Sequence, residues 1–133
     1  MPLVEPFKFQ SIEQASGSIV IGEGERNVPF PIRRVYFLHG LNKGVRRGFH
    51  AHRDLVQIAV CAHGSCMFHL DDGAQTAEVQ LDQPAVGLIV RPMIWHEMYD
   101  FSANCVLLLL ASKHYDEEDY LRSYEDFKIV ANR

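Results

Sequence analysis

Turn signals recur along most of this sequence, and the segments between them are short and rich in aliphatic, β-branched and aromatic residues. The predicted strands are 31–38, 47–52, 55–62, 65–70, 76–81, 85–90 and 105–111. An Asp-Gly pair at 72–73 predicts a hairpin between the 65–70 and 76–81 strands. Short strands separated by turns every ~8–12 residues are typical of an all-β sandwich or barrel. Runs that are apolar on both faces, such as 55–62, are expected in the middle of a sheet.

The C-terminal region has a different pattern. Residues 115–127 are polar, and Tyr120, Tyr124 and Phe127 recur within them at helical spacing. Asp116 stands where a helix N-cap is expected. We therefore predict a short C-terminal helix that packs its aromatic side chains on the sheet.

Length and charge restrict the possible functions. A chain of 133 residues is expected to form one domain, residues 1–133. Its net charge of -4 disfavours binding to nucleic acid. The longest apolar run, 105–111, is far shorter than the ~20 residues needed to cross a bilayer, and no secretory signal is visible. We expect a cytoplasmic protein without a nucleic-acid or membrane partner.

The three cysteines are Cys61, Cys66 and Cys105. Their number is odd, and no C-x-x-C pair is present. We interpret them as reduced, buried thiols of a cytosolic protein, in preference to a reactive thiol.

The residues richest in chemistry lie between 44 and 64. On a strand, His50 and His52 project from the same face, about 7 Å apart. Two imidazoles so placed can bind a metal ion, or act as acid and base on one ligand. On the 31–38 strand, Tyr36 and Arg34 share a face, so that a phenol able to relay a proton lies beside a cation able to hold phosphate. The alternatives are histidines without a role and a core tyrosine.

The spacing of several of these residues resembles the two motifs of the cupin superfamily. The first motif is matched by Gly44, His50, His52, Gln57 and Gly64, and the second by Gly87, Pro92 and His96, with the histidine one residue early. Metal-binding cupins have glutamate where this chain has Gln57, and a neutral amide is a weaker ligand for a divalent ion. A histidine-rich cupin pocket is expected, and a tight metal site is not.

Nearly the whole chain, from Phe7 to Phe127, is similar to a narrower group. The segments 47–52, 63–66, 70–73, 84–88, 95–102, 105–112 and 115–127 resemble the WxcM-like cupins, which are dTDP-4-keto-6-deoxyglucose 3,4-ketoisomerases. The resemblance implies a cupin-type jelly roll that dimerises with strand exchange. It also implies a reaction that moves a sugar carbonyl from C4 to C3 without metal or organic cofactor, and a role in amino-sugar synthesis for surface glycans such as O-antigen or S-layer glycan.

The same resemblance transfers the family's catalytic positions to His50, His52 and Tyr36. Candidate substrate-binding residues are Arg34, Arg47 and His96. Trp95 and Glu97 are interpreted as structural, and the remaining histidines, His39, His63, His69 and His114, as surface or turn residues.

One position departs from the family pattern. Where members carry an arginine that helps to hold the nucleotide, this chain has Ser16. Arg33, Arg34, Arg46 or Arg47 could compensate, and the sequence does not choose among them. Two other hypotheses therefore remain: a metal-dependent, dioxygenase-like cupin, and a non-catalytic cupin that binds nucleotide sugars.

The expected chemistry suits histidine. The hydrogen at C3 of a 4-keto sugar is acidic, and its removal gives an enediolate shared by C3 and C4. Returning a proton to C4 leaves the ketone at C3, and an ordinary imidazole pKa of about 6.5 suits both transfers. The absence of a dinucleotide fingerprint agrees with a reaction that needs no redox agent. The configuration of the product at C4 is not readable from the sequence.

Overall fold

The computed structural model describes residues 2–133, and their architecture is almost entirely β. The strands are β1 (Pro6–Lys8), β2 (Gln10–Gln14), β3 (Gly17–Ile21), β4 (Arg34–Leu38), β5 (Arg47–His52), β6 (Gln57–His63), β7 (Cys66–Asp71), β8 (Thr76–Leu81), β9 (Val86–Val90), β10 (Trp95–Tyr99), β11 (Val106–Ala111) and β12 (Tyr120–Leu121). A 3-10 turn spans Glu117–Asp119, and helix α1 spans Tyr124–Ala131.

Two five-stranded antiparallel sheets form the body of the molecule. The first has the order β1-β9-β6-β11-β4, and the second has the order β12-β5-β10-β7-β8. One buried apolar cluster joins them, because Ala59 and Leu107 from the first sheet pack with Phe68, Leu70 and Met98 from the second. The predicted all-β jelly roll is confirmed. β2 and β3 form a separate two-stranded hairpin.

Most predicted strands are present with small shifts at their ends. The apolar run predicted at 55–62 forms β6, whose five residues from Gln57 to Cys61 are buried and which lies in the middle of its sheet, as expected. The Asp-Gly hairpin joins β7 to β8, and the Asp72 carboxylate accepts hydrogen bonds from the backbone N–H groups of Ala74 and Gln75. β10 and the three N-terminal strands were not predicted as individual strands.

The prediction of a helix over 115–127 is wrong in its boundaries. Asp116 does act as an N-cap, but it caps only the short 3-10 turn. The chain then pairs with β5, with Tyr120 opposite His52, so the sheet edge satisfies backbone groups that a helix would have used. The helix begins only after Ser123, whose hydroxyl accepts a hydrogen bond from the Asp126 N–H.

All three cysteines are buried and free, as the sequence indicated. The hydrogen bond with the Cys66 thiol and burial raise the pKa of Cys61, and burial raises the pKa of Cys105 to about 12. Within residues 2–133, no helix is long and apolar enough to cross a membrane.

Candidate functional site

Two cavities differ sharply in their chemistry. The larger, about 490 Å³, lies between the β2–β3 hairpin and the outer face of the first sheet, and no ionisable side chain of the described residues lines it. The smaller, about 290 Å³, is lined by polar and ionisable groups. Its walls are Tyr36, Phe37, Leu38, Arg47, Gly48, His50, His96, Met98, Leu109, Tyr120 and Arg122. Because the predicted residues Tyr36, Arg47, His50 and His96 line it, the smaller cavity is the candidate active site.

A β-bulge in β5 aims His50 into this cavity, whereas His52 is buried beside His50 and is not among the lining residues. His50 lies opposite His96 of β10, but the next pair is Gly48 with Glu97, so Phe49 is the extra residue. Phe49 and Gly48 have φ values of 61° and 92°. Only glycine fits at position 48, because a Cβ there would lie 2.7 Å from the His96 carbonyl oxygen.

Three imidazoles meet at this point. The ring centroids of His50 and His96 are 4.5 Å apart, those of His50 and His52 are 5.1 Å apart, and those of His52 and His96 are 5.9 Å apart. Tyr120 of β12 covers the pair on β5, with its ring 4.4 Å from that of His52. His50 and His52 do share one face of their strand, as the sequence predicted, and the fold adds His96 to them.

Each of these rings has an acceptor at Nδ1. The Gly48 carbonyl oxygen lies 3.0 Å from Nδ1 of His50, and the Ile94 carbonyl oxygen lies 3.1 Å from Nδ1 of His96. The Asp119 carboxylate lies 3.1 Å from Nδ1 of His52. Because these partners only accept, each neutral ring carries its proton on Nδ1 and a lone pair on Nε2.

A chain of hydrogen bonds links the two sheets through Gln57. The Tyr36 hydroxyl donates to Oε1 of Gln57 over 2.6 Å, so the amide nitrogen faces the other way. That nitrogen lies 3.4 Å from Nε2 of His96, and one of its N–H groups donates to the lone pair on Nε2. Both nitrogens of His96 are therefore engaged, and this ring serves as a buried wall of the cavity.

Asp119 holds His52 from the turn before β12. Its second carboxylate oxygen accepts the Asp54 backbone N–H over 2.7 Å, so both of its oxygens have fixed donors. Nε2 of His52 is buried, and it has no hydrogen-bond partner among residues 2–133. Nδ1 of His52 is thus held by Asp119, whereas its Nε2 has no hydrogen-bond partner among residues 2–133.

Burial keeps the cluster neutral. Together with the neighbouring His52, it lowers the pKa of His50 to about 4. It lowers the pKa of His52 as well, although the Asp119 carboxylate acts in the opposite direction, and it holds the pKa of His96 well below its ordinary value. Burial raises the pKa of the Tyr36 phenol, so this group is a donor near neutral pH. All three imidazoles are in the form that accepts protons.

The donor set does not fit a divalent cation. Ligand atoms of His50, His52 and His96 lie within 4.8 Å of one another, which is close enough for shared coordination. However, the lone pair of His96 already faces the Gln57 amide, and that amide offers an N–H where a carboxylate would offer a ligand oxygen.

The two arginines predicted to bind substrate differ in their position relative to the cavity. Arg47 lines the cavity, whereas Arg34 lies outside the lining described within residues 2–133. The guanidinium of Arg34 stacks on Tyr36 at 4.8 Å, and its buried Nε has no partner among those residues. Ser16 lies in the exposed turn between β2 and β3, away from the cavity lining.

Three residues of the site were missed by sequence reasoning: Asp119, Tyr120 and Arg122. Arg122 stacks on Tyr120 at 4.1 Å and forms a two-bond ion pair with Glu117. All three fall in the segment predicted as helix. The alternation of Tyr120 and Arg122 was the available signal for a short strand, and it is too brief to outweigh the helical spacing around it.

Comparison with known proteins assigns the chain to one family. The family described as FdtA, WxcM-like, C-terminal matches residues 4–132. The TDP-4-oxo-6-deoxy-alpha-D-glucose-3,4-oxoisomerase of Aneurinibacillus thermoaerophilus is 51% identical over 120 residues, which are 90% of this chain and 86% of the relative.

Solved structures agree with the sequence match. The sugar 3,4-ketoisomerase QdtA of Thermoanaerobacterium thermosaccharolyticum, in complex with TDP, superimposes with a TM-score of 0.95 at 38% identity, covering 98% of this chain and 95% of its own. A QdtA variant with one histidine replaced by asparagine, in complex with TDP-4-keto-6-deoxyglucose, has a TM-score of 0.96 at 37% identity, with coverages of 99% and 96%.

The buried neutral histidines make stability depend on pH. The unfolded chain takes up a proton near the ordinary histidine pKa of about 6.5, whereas folded His50 resists protonation until about pH 4. Unfolding therefore binds protons in this window, and the free energy of unfolding should fall as pH drops from about 6.5 toward 4. Urea unfolding at a series of pH values measures this slope. His50→Asn should reduce it, while His39→Asn, which removes an exposed imidazole outside the cluster, should leave it unchanged.

Proposed function

The chain belongs to the WxcM-like family, and from this premise we infer that it is a sugar-nucleotide 3,4-ketoisomerase. It moves the keto group of a TDP-linked 4-keto-6-deoxyhexose from C4 to C3, an intramolecular oxidation and reduction. The observation that carries this function is the cluster of three neutral, Nδ1-protonated imidazoles beside one polar cavity. We propose that residues 1–133 act as one ketoisomerase domain.

The reaction needs a base, a returning proton and a donor for oxygen. A base removes the C3 hydrogen while the C4 oxygen gains hydrogen-bond stabilisation, and the enediolate forms. A proton then returns to C4, the C3 hydroxyl loses its proton and the C4 oxygen gains one, so that two protons leave the sugar and two return. A neutral imidazole accepts a departing proton, and the imidazolium formed in this way returns one. No electron acceptor outside the sugar is required.

His50 is proposed as the base at C3. It lines the cavity, its Nδ1 is held by the Gly48 carbonyl, and its Nε2 carries the lone pair. Its low pKa keeps it unprotonated near pH 7. Negative charge developing on the adjacent enediolate would stabilise the imidazolium as it forms.

His52 and Tyr36 are proposed to complete the proton transfers. The Asp119 carboxylate would stabilise the imidazolium that forms when neutral His52 takes up a proton on Nε2 during the reaction, which supports His52 as the group that returns a proton to C4. The Tyr36 phenol stays protonated and lies at the cavity wall, which supports it as the group that turns its one hydrogen from Gln57 to a sugar oxygen when the substrate binds. Tyr36 is oriented by Gln57, which links it to His96.

Arginines at the cavity rim are proposed to hold the TDP group. Arg47 and Arg122 both line the cavity, and guanidinium groups suit diphosphate oxygens. Arg34, whose guanidinium stacks on Tyr36 and whose Nε is buried without a partner among residues 2–133, is proposed as a further contact. We propose that the reaction takes place in the cytoplasm, and that the 3-keto product is aminated on the way to a surface glycan, either O-antigen or S-layer.

We also propose a homodimer with exchange of N-terminal strands. The β2–β3 hairpin pairs with neither large sheet, and an isolated hairpin is marginally stable in water. Its Ile19 is 57% exposed, and on the edge strand β4 the side chains of Val35 and Phe37 are 58% and 59% exposed. A second copy that covers these apolar surfaces would explain them. Phe37 also lines the cavity, so the partner would border the site.

Replacing either proposed proton carrier should remove most of the activity. His50→Asn and His52→Asn keep much of the side-chain shape but cannot cycle a proton, and loss of a general base costs on the order of 10²–10⁴ in rate. The assay incubates each variant with dTDP-4-keto-6-deoxyglucose and follows ketone migration and deuterium uptake from heavy water by NMR. TDP binding and melting temperature should change little. Near wild-type turnover in both variants would assign the base to another group.

Asp119→Asn tests the support of His52. Both oxygens of Asp119 accept hydrogen bonds, and an amide can replace only one of them. We expect kcat to fall roughly 10- to 100-fold, the scale for losing an orienting carboxylate, with KM little changed. The pH profile should shift, because the carboxylate raises the pKa of His52. Glu118→Gln, at an exposed neighbouring position, is the control; equal effects of the two changes would contradict the assignment.

Metal removal should have no effect. The Gln57 amide at the carboxylate position motivates the expectation that the protein purifies without stoichiometric metal and keeps its activity in chelator. Elemental analysis and assays with and without EDTA measure this. One tightly bound iron or zinc per chain, with activity lost on its removal, would favour the dioxygenase-like alternative.

The dimer is tested by mass. Light scattering at micromolar concentration should give twice the chain mass of 15.2 kDa. Ile19→Asp on the hairpin should shift the mass toward the monomer, because it places a charge in the proposed interface. Ile129→Asp is a matched control, since Ile129 on α1 is 58% exposed and outside that surface. A monomeric wild type, or equal effects of both changes, would argue against the dimer.

A further inference from the structure

The three cysteines form a second chemical cluster, at the far end of the strands from the histidines. Cys61 is four residues beyond Gln57 on β6, which corresponds to about 13 Å. Cys66 begins β7, and Cys105 immediately precedes β11. The cluster therefore joins both sheets at the end opposite the catalytic cavity, and the proposed ketoisomerase function does not use it.

The sulfur atoms are spaced like three ligands of one atom. Sγ of Cys61 lies 3.6 Å from Sγ of Cys66 and 3.8 Å from Sγ of Cys105, and all three lie within 4.8 Å of one another. Three bonds of about 2.3 Å, the usual length from thiolate to zinc, separate sulfur atoms by about 3.8 Å at tetrahedral angles, and by about 3.4 Å at the narrower angles of a pyramidal centre that carries a lone pair. Little movement is needed to bring the three thiols onto a common centre.

The surroundings restrict the charge of that centre. Each of the three cysteines is 1% exposed and belongs to the apolar core, with Phe68 and Leu107 in the same cluster. Three thiolates around Cu(I) carry a net charge of -2, and around Zn(II) or Hg(II) a net charge of -1, as charge addition requires. A net charge without a partner is disfavoured in an apolar core. Three thiolates around a trivalent centre are neutral.

The number of ligands also favours a trivalent centre. Structural zinc sites are closed by four protein ligands. Within residues 2–133 this cluster contains three cysteines and no histidine or carboxylate. A trivalent arsenic or antimony centre is satisfied by three bonds and keeps a lone pair in the fourth direction.

We propose that Cys61, Cys66 and Cys105 form a binding site for a trivalent, thiophilic metalloid, with arsenous acid as the accessible form. In the binding step, three S–H bonds and three As–O bonds break, while three As–S bonds and three O–H bonds form. One arsenous acid and three thiols thus give one neutral trithiolate and three waters. Arsenic remains trivalent, so no oxidant or reductant takes part.

Access to the cluster requires local opening. The turn that precedes Cys105 is fastened to the turn before Cys66 by two hydrogen bonds: the Ser65 N–H donates to the Ser102 hydroxyl over 2.8 Å, and the Ser102 N–H donates to the Ser65 carbonyl over 2.9 Å. We therefore expect slow association, limited by the separation of these turns, followed by slow release.

The first experiment incubates the full chain with sodium arsenite, with a phosphine as reductant so that no added thiol competes. Native mass spectrometry should show one arsenic per chain with the loss of three hydrogens. The melting temperature should rise, because the three thiols assembled in the folded chain bind arsenic more tightly than the separated thiols of the unfolded chain. X-ray absorption should show three sulfur neighbours and no oxygen around arsenic. No adduct after prolonged incubation, or an arsenic that retains oxygen neighbours, would overturn the proposal.

Variants and a competing ion provide the controls. Cys66→Ala should weaken arsenite binding at least tenfold, and Zn(II) should neither bind stoichiometrically nor raise the melting temperature. The wild-type stoichiometry and coordination remain decisive if the variant folds poorly. Ketoisomerase activity should be unchanged in the loaded protein, since the histidine cavity lies at the other end of the strands. Unchanged binding by the variant, or equal binding of Zn(II), would contradict a three-thiol site selected by charge.

Discussion

The site depends on an acceptor at Nδ1 of every clustered histidine. Two of these acceptors are backbone carbonyls, of Gly48 and Ile94, and the third is the Asp119 carboxylate. With Nδ1 committed, each neutral ring has one lone pair, on Nε2. Because the rings are buried 4.5–5.9 Å from one another, a proton on one is disfavoured by its neighbours as well as by the loss of solvent. The protein thereby keeps His50 and His52 neutral, with a lone pair on Nε2, at acidic pH values where an imidazole in water would be protonated.

Gln57 sets the hydrogen bonding between Tyr36 and His96. Its amide has an acceptor at one end and a donor at the other, so accepting from Tyr36 forces it to donate toward His96. A carboxylate at this position would face His96 without a hydrogen to donate and would add the negative charge that a divalent cation needs. The same three-histidine geometry thus suits proton transfer with an amide and coordination with a carboxylate.

The site also depends on elements that are distant along the chain. The bulge at Phe49 turns β5 so that its histidines meet His96 from β10. The pairing of β12 with the outer edge of β5 brings in Asp119 and Tyr120. Because β12 is only two residues long, its position relies on α1, whose Phe127 is fully buried beside Trp95. Packing of the helix therefore supports the orientation of His52.

The all-β class, the shared face of His50 and His52, and the shared face of Arg34 and Tyr36 could be predicted from the sequence, because strand alternation is a local property that needs no knowledge of neighbours. The family resemblance predicted the reaction because its motifs are also local: they lie in short continuous segments of the sequence. The hydrogen-bond partner of each ring nitrogen is known only from the folded chain. Asp119 and His52 are 67 residues apart, and they meet only because the C-terminal segment pairs with the edge strand β5. Local helical spacing around Tyr120 was overridden there by unpaired backbone groups of β5, a long-range effect that no window of sequence contains.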